Sequence, residues 1–504
     1  MAVKKCNFNW LFVLVVVSCG QTISAPDLTI STTTSTTSTT STTSTTSTTS
    51  TTSTTSTTST TSTTSTTSTT STTSTTSTTS TTSTTSTTST TSTTSTTTLP
   101  TSYRLELNVL PKNSQITIET SDAILADVQV PIDLDTPSPV KIFIEAEGFE
   151  TLSETISFNE DQNLVLYLDK ENQLLHKIAE WRSGGAPKQV AFTPNGEELW
   201  VTQLVGAGVE IFDPKTGELQ GFVDLPDGGS VEIIFNREGT LAYVSQMETA
   251  SVYEINVSTR EIIRNLDTEG SWSKVMVLSP DEKTLWVSNW SSNDVSEIDL
   301  STGEVTERMR SVVTPRGLWV TPDGLKLYVA GFENGDIEVF DLTNRESTVI
   351  HRTGGAMRHL AGNAETGILY ASELGKDYIL SVDTATDEVE IFAYVDNVPN
   401  TIDLSPDGKV LYVSSRGRNN SESYHLIGPE WGSIAVIDTA TGDYLDAIIG
   451  GNQPTGLDVS PDGTMLAYSD FLDHRITVYT IPSYEELRNG NGGRWEMHLS
   501  EIVK

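Results

Sequence analysis

The stretch PNTIDLSPDGKVLYVSS, residues 399–415, spells out one β-hairpin. Residues 401–404 and 410–414 alternate apolar and polar side chains, the period of a strand with one face buried. Between them, Ser405-Pro406-Asp407-Gly408 supplies a fixed φ at the proline and a left-handed position at the glycine. A tight reversal needs both.

The same phrase recurs through the second half of the chain. Aligned on the aromatic of the second strand, the copies fall at Trp200, Tyr243, Trp286, Tyr328, Tyr370, Tyr412 and Tyr468. The steps between them are 43, 43, 42, 42, 42 and 56 residues. The preceding turns read PNG (194–196), REG (237–239), PDE (280–282), PDG (322–324), AET (364–366), PDG (406–408) and PDG (461–463). A third strand follows each copy and ends in an acid or Asn before a second turn, as in Phe212-Asp213-Pro214-Lys215-Thr216-Gly217 and Ile437-Asp438. Local side-chain bonds from these Asp and Asn residues cap the turns, which gives them a structural role. With a fourth strand such as 444–449, seven units of about 42 residues have the size and strand count of β-propeller blades.

SPDGKVLYVS followed by IDTATG (437–442) resembles the YVTN-repeat propellers, the surface-layer and YncE-like proteins, over roughly residues 181–481. The resemblance implies the ring fold and says little about ligand, because this scaffold carries many activities. The expected fold class is all-β: a seven-bladed propeller over 174–481, behind a small β-sandwich and a disordered Ser/Thr stalk. Residues 174–181 read as the outer strand that completes the last blade. A strand at 495–499, in the polar Gly-rich tail 482–504, is the competing closure.

The N-terminal fifth has a different character. Residues 1–19 hold Lys4 and Lys5, a short apolar run at 10–17, and Cys19, the arrangement of an export signal too short to span a bilayer. Val16-Val17-Ser18-Cys19 resembles a lipobox, which implies lipidation of Cys19 and a membrane anchor. Cleavage after Ala25 is the alternative. Residues 20–102 are mostly Ser-Thr-Thr repeats with no apolar face to bury. They read as an O-glycosylated stalk reaching on the order of 200 Å if extended, or as an unmodified spacer. Residues 103–169 alternate at 103–109, 115–119, 140–146, 152–158 and 163–168, giving a minimal sandwich. KIFIEAEGFETLSETISF (141–158) with NLVLYL (163–168) resembles PEGA-type domains, the strand–turn at Ala146–Phe149 carrying the likeness. Such modules are spacers or adaptors.

Composition narrows the function classes. The formal net charge is −36, carried almost wholly by residues after 102, since only Lys4, Lys5 and Asp27 precede them. Such a surface repels nucleic acid, which is excluded as a partner. Both cysteines, Cys6 and Cys19, lie before the folded region, so thiolate chemistry and disulfides are excluded there. The six histidines show no metal-ligand spacing, no GxSxG, P-loop or dinucleotide fingerprint is present, and no cofactor or metal is expected.

Three features mark the face opposite the PDG turns. The residue opening each inner strand is Lys188, Val231, Lys274, Arg316, Arg358, Asn400 or Thr455, and His359 follows Arg358. Four cations at matching places around one axis would draw an anion into the channel mouth. The alternative is pairing with acids such as Glu232 and Glu333, or simple hydration. The 56-residue step places an insertion of about 14 residues at Arg416–Gly432, carrying Arg416, Arg418, Tyr424, His425 and Trp431. Such a loop sits where partners bind, beside the stacking surfaces Trp272, Trp290, Phe332 and Phe471, or is a disordered excursion. Asn400 and Asp470 stand in phrases similar to those of calcium-dependent lactonase propellers, though the early ligating Glu of that six-bladed family has no match. The expected function is non-catalytic binding of an extracellular protein, glycan or small anionic ligand at the cell surface. The alternative is an enzyme acting on a small anionic or lactone substrate.

Overall fold

Residues 102–134, 139–157, 161–490 and 494–504 are described by a computed structural model. The segments read as an export signal and a stalk, with Cys19, lie outside the described residues.

In every copy the alternating arms and the turn between them produce the expected hairpin. In the copy at 399–415, Pro399–Leu404 pairs antiparallel with Val410–Ser415, and Gly408 takes φ 66° with its N–H on the Ser405 carbonyl. Each hairpin grows outward by two strands into a four-stranded blade. Blade 1 runs from the axis outward as Pro187–Phe192, Leu199–Gln203, Gly208–Phe212 and Leu219–Asp224. Blades 2 to 6 repeat that order over 233–267, 273–310, 315–352, 357–394 and 399–449. Blade 7 supplies three strands, Pro454–Val459, Met465–Asp470 and Arg475–Thr480, and its outermost strand is His176–Arg182. The innermost strands lie side by side around the ring, with Pro454–Val459 beside Pro187–Phe192. The fold is the expected seven-bladed propeller.

Val410–Ser415 and Met465–Asp470 are buried along their whole length, because each blade packs on a neighbour through both faces. One cluster, for example, joins Val190 and Val201 of blade 1 to Ala467 and Val478 of blade 7. A hydroxyl at the same place in the second strand reinforces this packing. Thr202, Ser288, Ser372, Ser414 and Ser469 donate to Val231, Arg316, Asn400, Thr455 and Pro187 carbonyls, each on the inner strand of the next blade or, for Val231, two residues before it. Inner strands crowd where they converge: a Cβ on Gly456 would lie 2.7 Å from the Gln189 Cα.

Two readings are corrected. Met465–Asp470 superposes in register on Val410–Ser415, so Ala467, not Tyr468, occupies the place of Tyr412. The last step is therefore 55 residues and the insertion one residue shorter. An aromatic one place away misled the alignment. The second correction is the tail, which contains two helices, α1 (Tyr484–Asn489) and α2 (Arg494–Glu501), and no strand at 495–499. Ser483 and Glu486 form a reciprocal capping box that starts α1. In α2 the apolar–polar alternation of Trp495–Leu499 gives way to helical spacing, with His498 buried on the helix and Ile502, just past its end, buried four residues on. The helix lies on the outer strand Tyr444–Ile449 of blade 6.

The sequence before the propeller forms two sheets. One orders Ile132–Leu134, Tyr103–Leu110 and Gln162–Tyr167, the last two parallel; the other orders Ile124–Leu125, Gln115–Glu119, Val140–Glu145 and Leu152–Ile156. Leu105, Leu107 and Leu166 from the first share a core with Ile116, Ile118, Ile142 and Ile144 from the second. Two short strands, 124–125 and 132–134, were not legible as alternation because they are only two and three residues long.

Candidate functional site

Each crossing from an outer strand to the next inner strand must turn the chain toward the axis. In five of the seven, the residue before the inner strand is a non-glycine in the left-handed region: Ala186, Trp272, Thr314, Val398 and Gln453, with φ between 56° and 65°. Thr314 and Val398 are β-branched, for which this conformation is strained. The second residue of the inner strand then stands at the channel mouth, the position of Lys188, Lys274, Arg316, Arg358, Asn400 and Thr455.

The structure brings the four expected cations together and buries them. Lys274, Arg316 and Arg358 are 5, 5 and 3 % exposed, and Lys188 is half-buried. The expected alternative of local pairing does not hold: among the described residues none of the four makes an ion pair, and Glu333 instead accepts a hydrogen bond from the Thr314 hydroxyl at 3.2 Å. Burial and the nearby guanidinium groups of Arg358 and Arg316 hold the Lys188 ammonium well below its usual range, and Lys274 is lowered in the same way. Burial pushes Arg358 down to about 10, still a cation at neutral pH. His359, half-buried beside Arg358 and Arg316, is pushed down to about 3 by desolvation and those charges and is neutral. Glu232, itself 7 % exposed, is the carboxylate whose field reaches Lys188, Lys274, Arg316 and Arg358.

The long loop completes this cluster. Arg416 is lowered to about 10 by burial and by Arg358, and its guanidinium lies 5.8 Å from the Tyr424 ring and 6.0 Å from the Phe471 ring. It also donates to the Gln453 side chain. Tyr424 packs against His425, ring centroids 3.9 Å apart and planes tilted by 37°, and burial raises its phenol. On the opposite arc, Trp272, Trp290 and Phe332 meet edge to face or tilted at 6.0 and 5.6 Å. The Lys274 ammonium sits 3.5 Å from the centre of the Trp290 ring, a cation–π contact, and Arg316 lies 5.4 Å from it.

Two residues of the insertion are used elsewhere. Trp431 is buried with Ile434, Leu457 and Tyr468, under the C-terminal Lys504, whose ammonium lies 4.5 Å from the ring centre. Arg418 pairs with Glu430 at 3.2 Å, where the two arms of the loop meet. Trp431 is therefore not free to stack on a ligand, whereas the Arg418 side chain stays 67 % exposed. Asp470 is likewise engaged. It is fully buried, accepts from Arg475 at 2.7 Å and from the Gly451 amide at 3.0 Å, and so is not offered to a metal alongside Asn400. Among the described residues, no group of three or more His, Cys, Asp or Glu side chains is arranged to hold a metal ion.

Several donors at the mouth have no acceptor among the described residues: Arg316 Nε, Arg358 Nη1, Arg416 Nε and Trp290 Nε1. A buried donor left unpaired costs roughly 1–3 kcal/mol, more if charged. Five basic side chains against one carboxylate, with donors to spare, is an arrangement able to hold an anion. A hollow of about 650 Å³ at the outer edge of blade 7, lined by Leu174, His176, Ile481 and Glu486 among others, has no comparable set of unpaired donors.

Residues 239–450 match the model of the YNCE-like β-propeller family, as the blade phrase implies. Over 174 residues the chain is 39 % identical to Antigen Lp49 of Leptospira interrogans. That match covers 33 % of this chain and 38 % of the antigen's length. Among solved structures, Kuenenia stuttgartiensis hydrazine synthase superposes with a TM-score of 0.51 at 19 % identity, over 59 % of this chain and 96 % of that one. At that identity the likeness is one of fold alone.

Proposed function

We propose that this YNCE-like propeller is a non-catalytic binding protein of the cell surface, which captures an anionic extracellular ligand at the mouth of its channel. The observation that carries the reading is the convergence of Lys274, Arg316 and Arg358, buried, with Lys188 and Arg416, half-buried, none in an ion pair among the described residues, in a chain of net charge −36. Collecting like charges out of water is unfavourable, so the arrangement makes sense as preorganisation for an opposite charge. Display outside the cell is supported by the export signal and lipobox-like Cys19, by the stalk-like tract, and by the likeness to a protein named as an antigen. The lipid on Cys19 would hold the protein to a membrane, with the Ser/Thr tract as spacer. The hydrolase alternative loses its metal-ligand pair to the Asp470–Arg475 contact.

The test is calorimetric titration of the full chain with sulfate and with citrate at low ionic strength. Binding is expected to weaken about 10-fold or more in Arg316→Gln and in Arg358→Gln, as charge-assisted bonds are lost. It should also weaken as salt is added. Affinities unchanged by both substitutions would remove the reading.

A further inference from the structure

We infer that the ligand is a polyhydroxylated carboxylate, a sugar acid, its carboxylate held by the arginines and its hydroxyls by Glu232 and Asn400; this rests on the anion-binding reading above. Donors at the mouth are only half of what the site presents. Asn400 stands at the same inner-strand place as the cations and is 1 % exposed. Its Nδ2 donates to the Thr455 carbonyl at 3.3 Å, which fixes the amide, and its Oδ1 has no donor among the described residues. Glu232 is a buried carboxylate within the field of four cations and pairs with none of them.

A bare inorganic anion answers the donors and nothing else. It leaves the Asn400 oxygen unpaired and is repelled by Glu232. A neutral polyol answers the acceptors and leaves the guanidinium groups uncompensated. Only a ligand with a negative group at one end and O–H donors at the other satisfies both sets. Arginine's fork matches a planar carboxylate with two parallel bonds. The aromatic arcs add a third requirement. Trp290 with Phe332 on one side, and Phe471 with Tyr424 on the other, offer apolar ring surface beside the charges, suited to the C–H face of a sugar ring.

The experiment titrates the full-length protein with D-glucuronate, D-glucose, propionate and sulfate under identical conditions. Glucuronate is expected to bind about 10-fold or more tightly than propionate or sulfate, and glucose to show no binding, since each lacks one half of the complement. Glu232→Gln should move two ligands in opposite directions, weakening glucuronate and tightening sulfate, a response that general loss of structure cannot produce. Asn400→Leu is the second variant. It should weaken glucuronate and leave sulfate unchanged, with circular dichroism reporting the fold. Equal binding of sulfate, propionate and glucuronate, all lost in Arg316→Gln, would overturn the sugar-acid assignment and leave the anion site standing. Binding of glucose as tight as that of glucuronate, or no binding of any of the four, would overturn both.

Discussion

His359 and Asp403 lie on adjoining inner strands and titrate against each other in their effect on stability. Burial and the Arg358 charge lower His359 from 6.5 to about 3. Between those values the unfolded chain takes up a proton that the native ring refuses, so its stabilising contribution is full above pH 6.5 and lost as pH falls toward 3. Burial raises Asp403 from 3.8 to about 6, which acts in the opposite sense. Here the native state keeps the proton that the unfolded chain releases, and stability present below pH 3.8 is lost as pH rises through about 6. His359→Gln should therefore flatten the loss of stability between pH 6.5 and 4, and Asp403→Asn should raise stability at pH 7 relative to the parent. Urea unfolding at pH 7 and pH 4.5 measures both; parallel pH profiles for parent and variants would contradict the assignment. At this scale the four inner-strand cations were legible because each fills one place in a repeated phrase. The way Arg416 and Tyr424 join them was not, since an insertion has no repeat register to place it. Trp431 was misjudged for the same reason: an aromatic in an unregistered loop reads alike whether it faces solvent or core.

Among elements, the long loop and the C-terminal tail belong together. The Trp431 amide donates to the Ile502 carbonyl at 2.7 Å, the Lys504 amide to Pro429 at 3.1 Å, and Glu430 bridges Val503. His498, fully buried on α2, contacts Asp396 at 2.8 Å, and Asp396 also accepts from Ser433. The far arm of the loop is thus pinned from outside the ring, while its near arm is held from within, by the Arg416 amide on the Val398 carbonyl at 3.0 Å. Removal of residues 491–504 should release one arm only. Hydrogen exchange in the truncated protein is expected to rise at Trp431 and stay near the parent value at Arg416. Equal protection at Trp431 in the two proteins would show that the tail does not anchor the loop. The sequence carried a signal for α1 in the Ser483–Glu486 spacing, obscured by a polar, Gly-rich composition that resembles a disordered tail. For α2 the pattern of five residues fits either period, and only the strand it lies against decides between them.

Across the whole molecule, the ring must be closed by residues nearly 300 positions apart. His176–Arg182 supplies the fourth strand of blade 7, with Glu180 in ion-pair range of Arg475 at 3.4 Å. A second tie runs beneath the mouth. Asp403 of blade 6 accepts the Val459 amide of blade 7 at 2.9 Å, and Asp458 of blade 7 accepts the Phe192 amide of blade 1 at 2.7 Å. The paired phrases PNTIDL and PTGLDV held that signal, an Asp at one place in two successive blades that the other five lack. Leu174 and Leu175 add a third tie, both amides donating to Asp446, at 2.7 and 3.1 Å. Closure strand and inner belt act at opposite edges of the same blade, so loss of the strand leaves a ring still tied at the axis with its rim open. A protein beginning at Ala186 should keep most of its strand content while exposing Arg475–Thr480 as an unpaired edge, a template for pairing with a second chain. It is expected to elute as dimers or larger species and to melt well below the parent. A protein beginning at Ser102, which removes the spacer and keeps the closing strand, should elute as the parent's folded region does and melt at the parent temperature. Size-exclusion chromatography and thermal unfolding of the two truncations, side by side, separate the cases. If the shorter protein matched the longer in both measurements, closure by His176–Arg182 would carry no stability, and the axial belt alone would hold the ring.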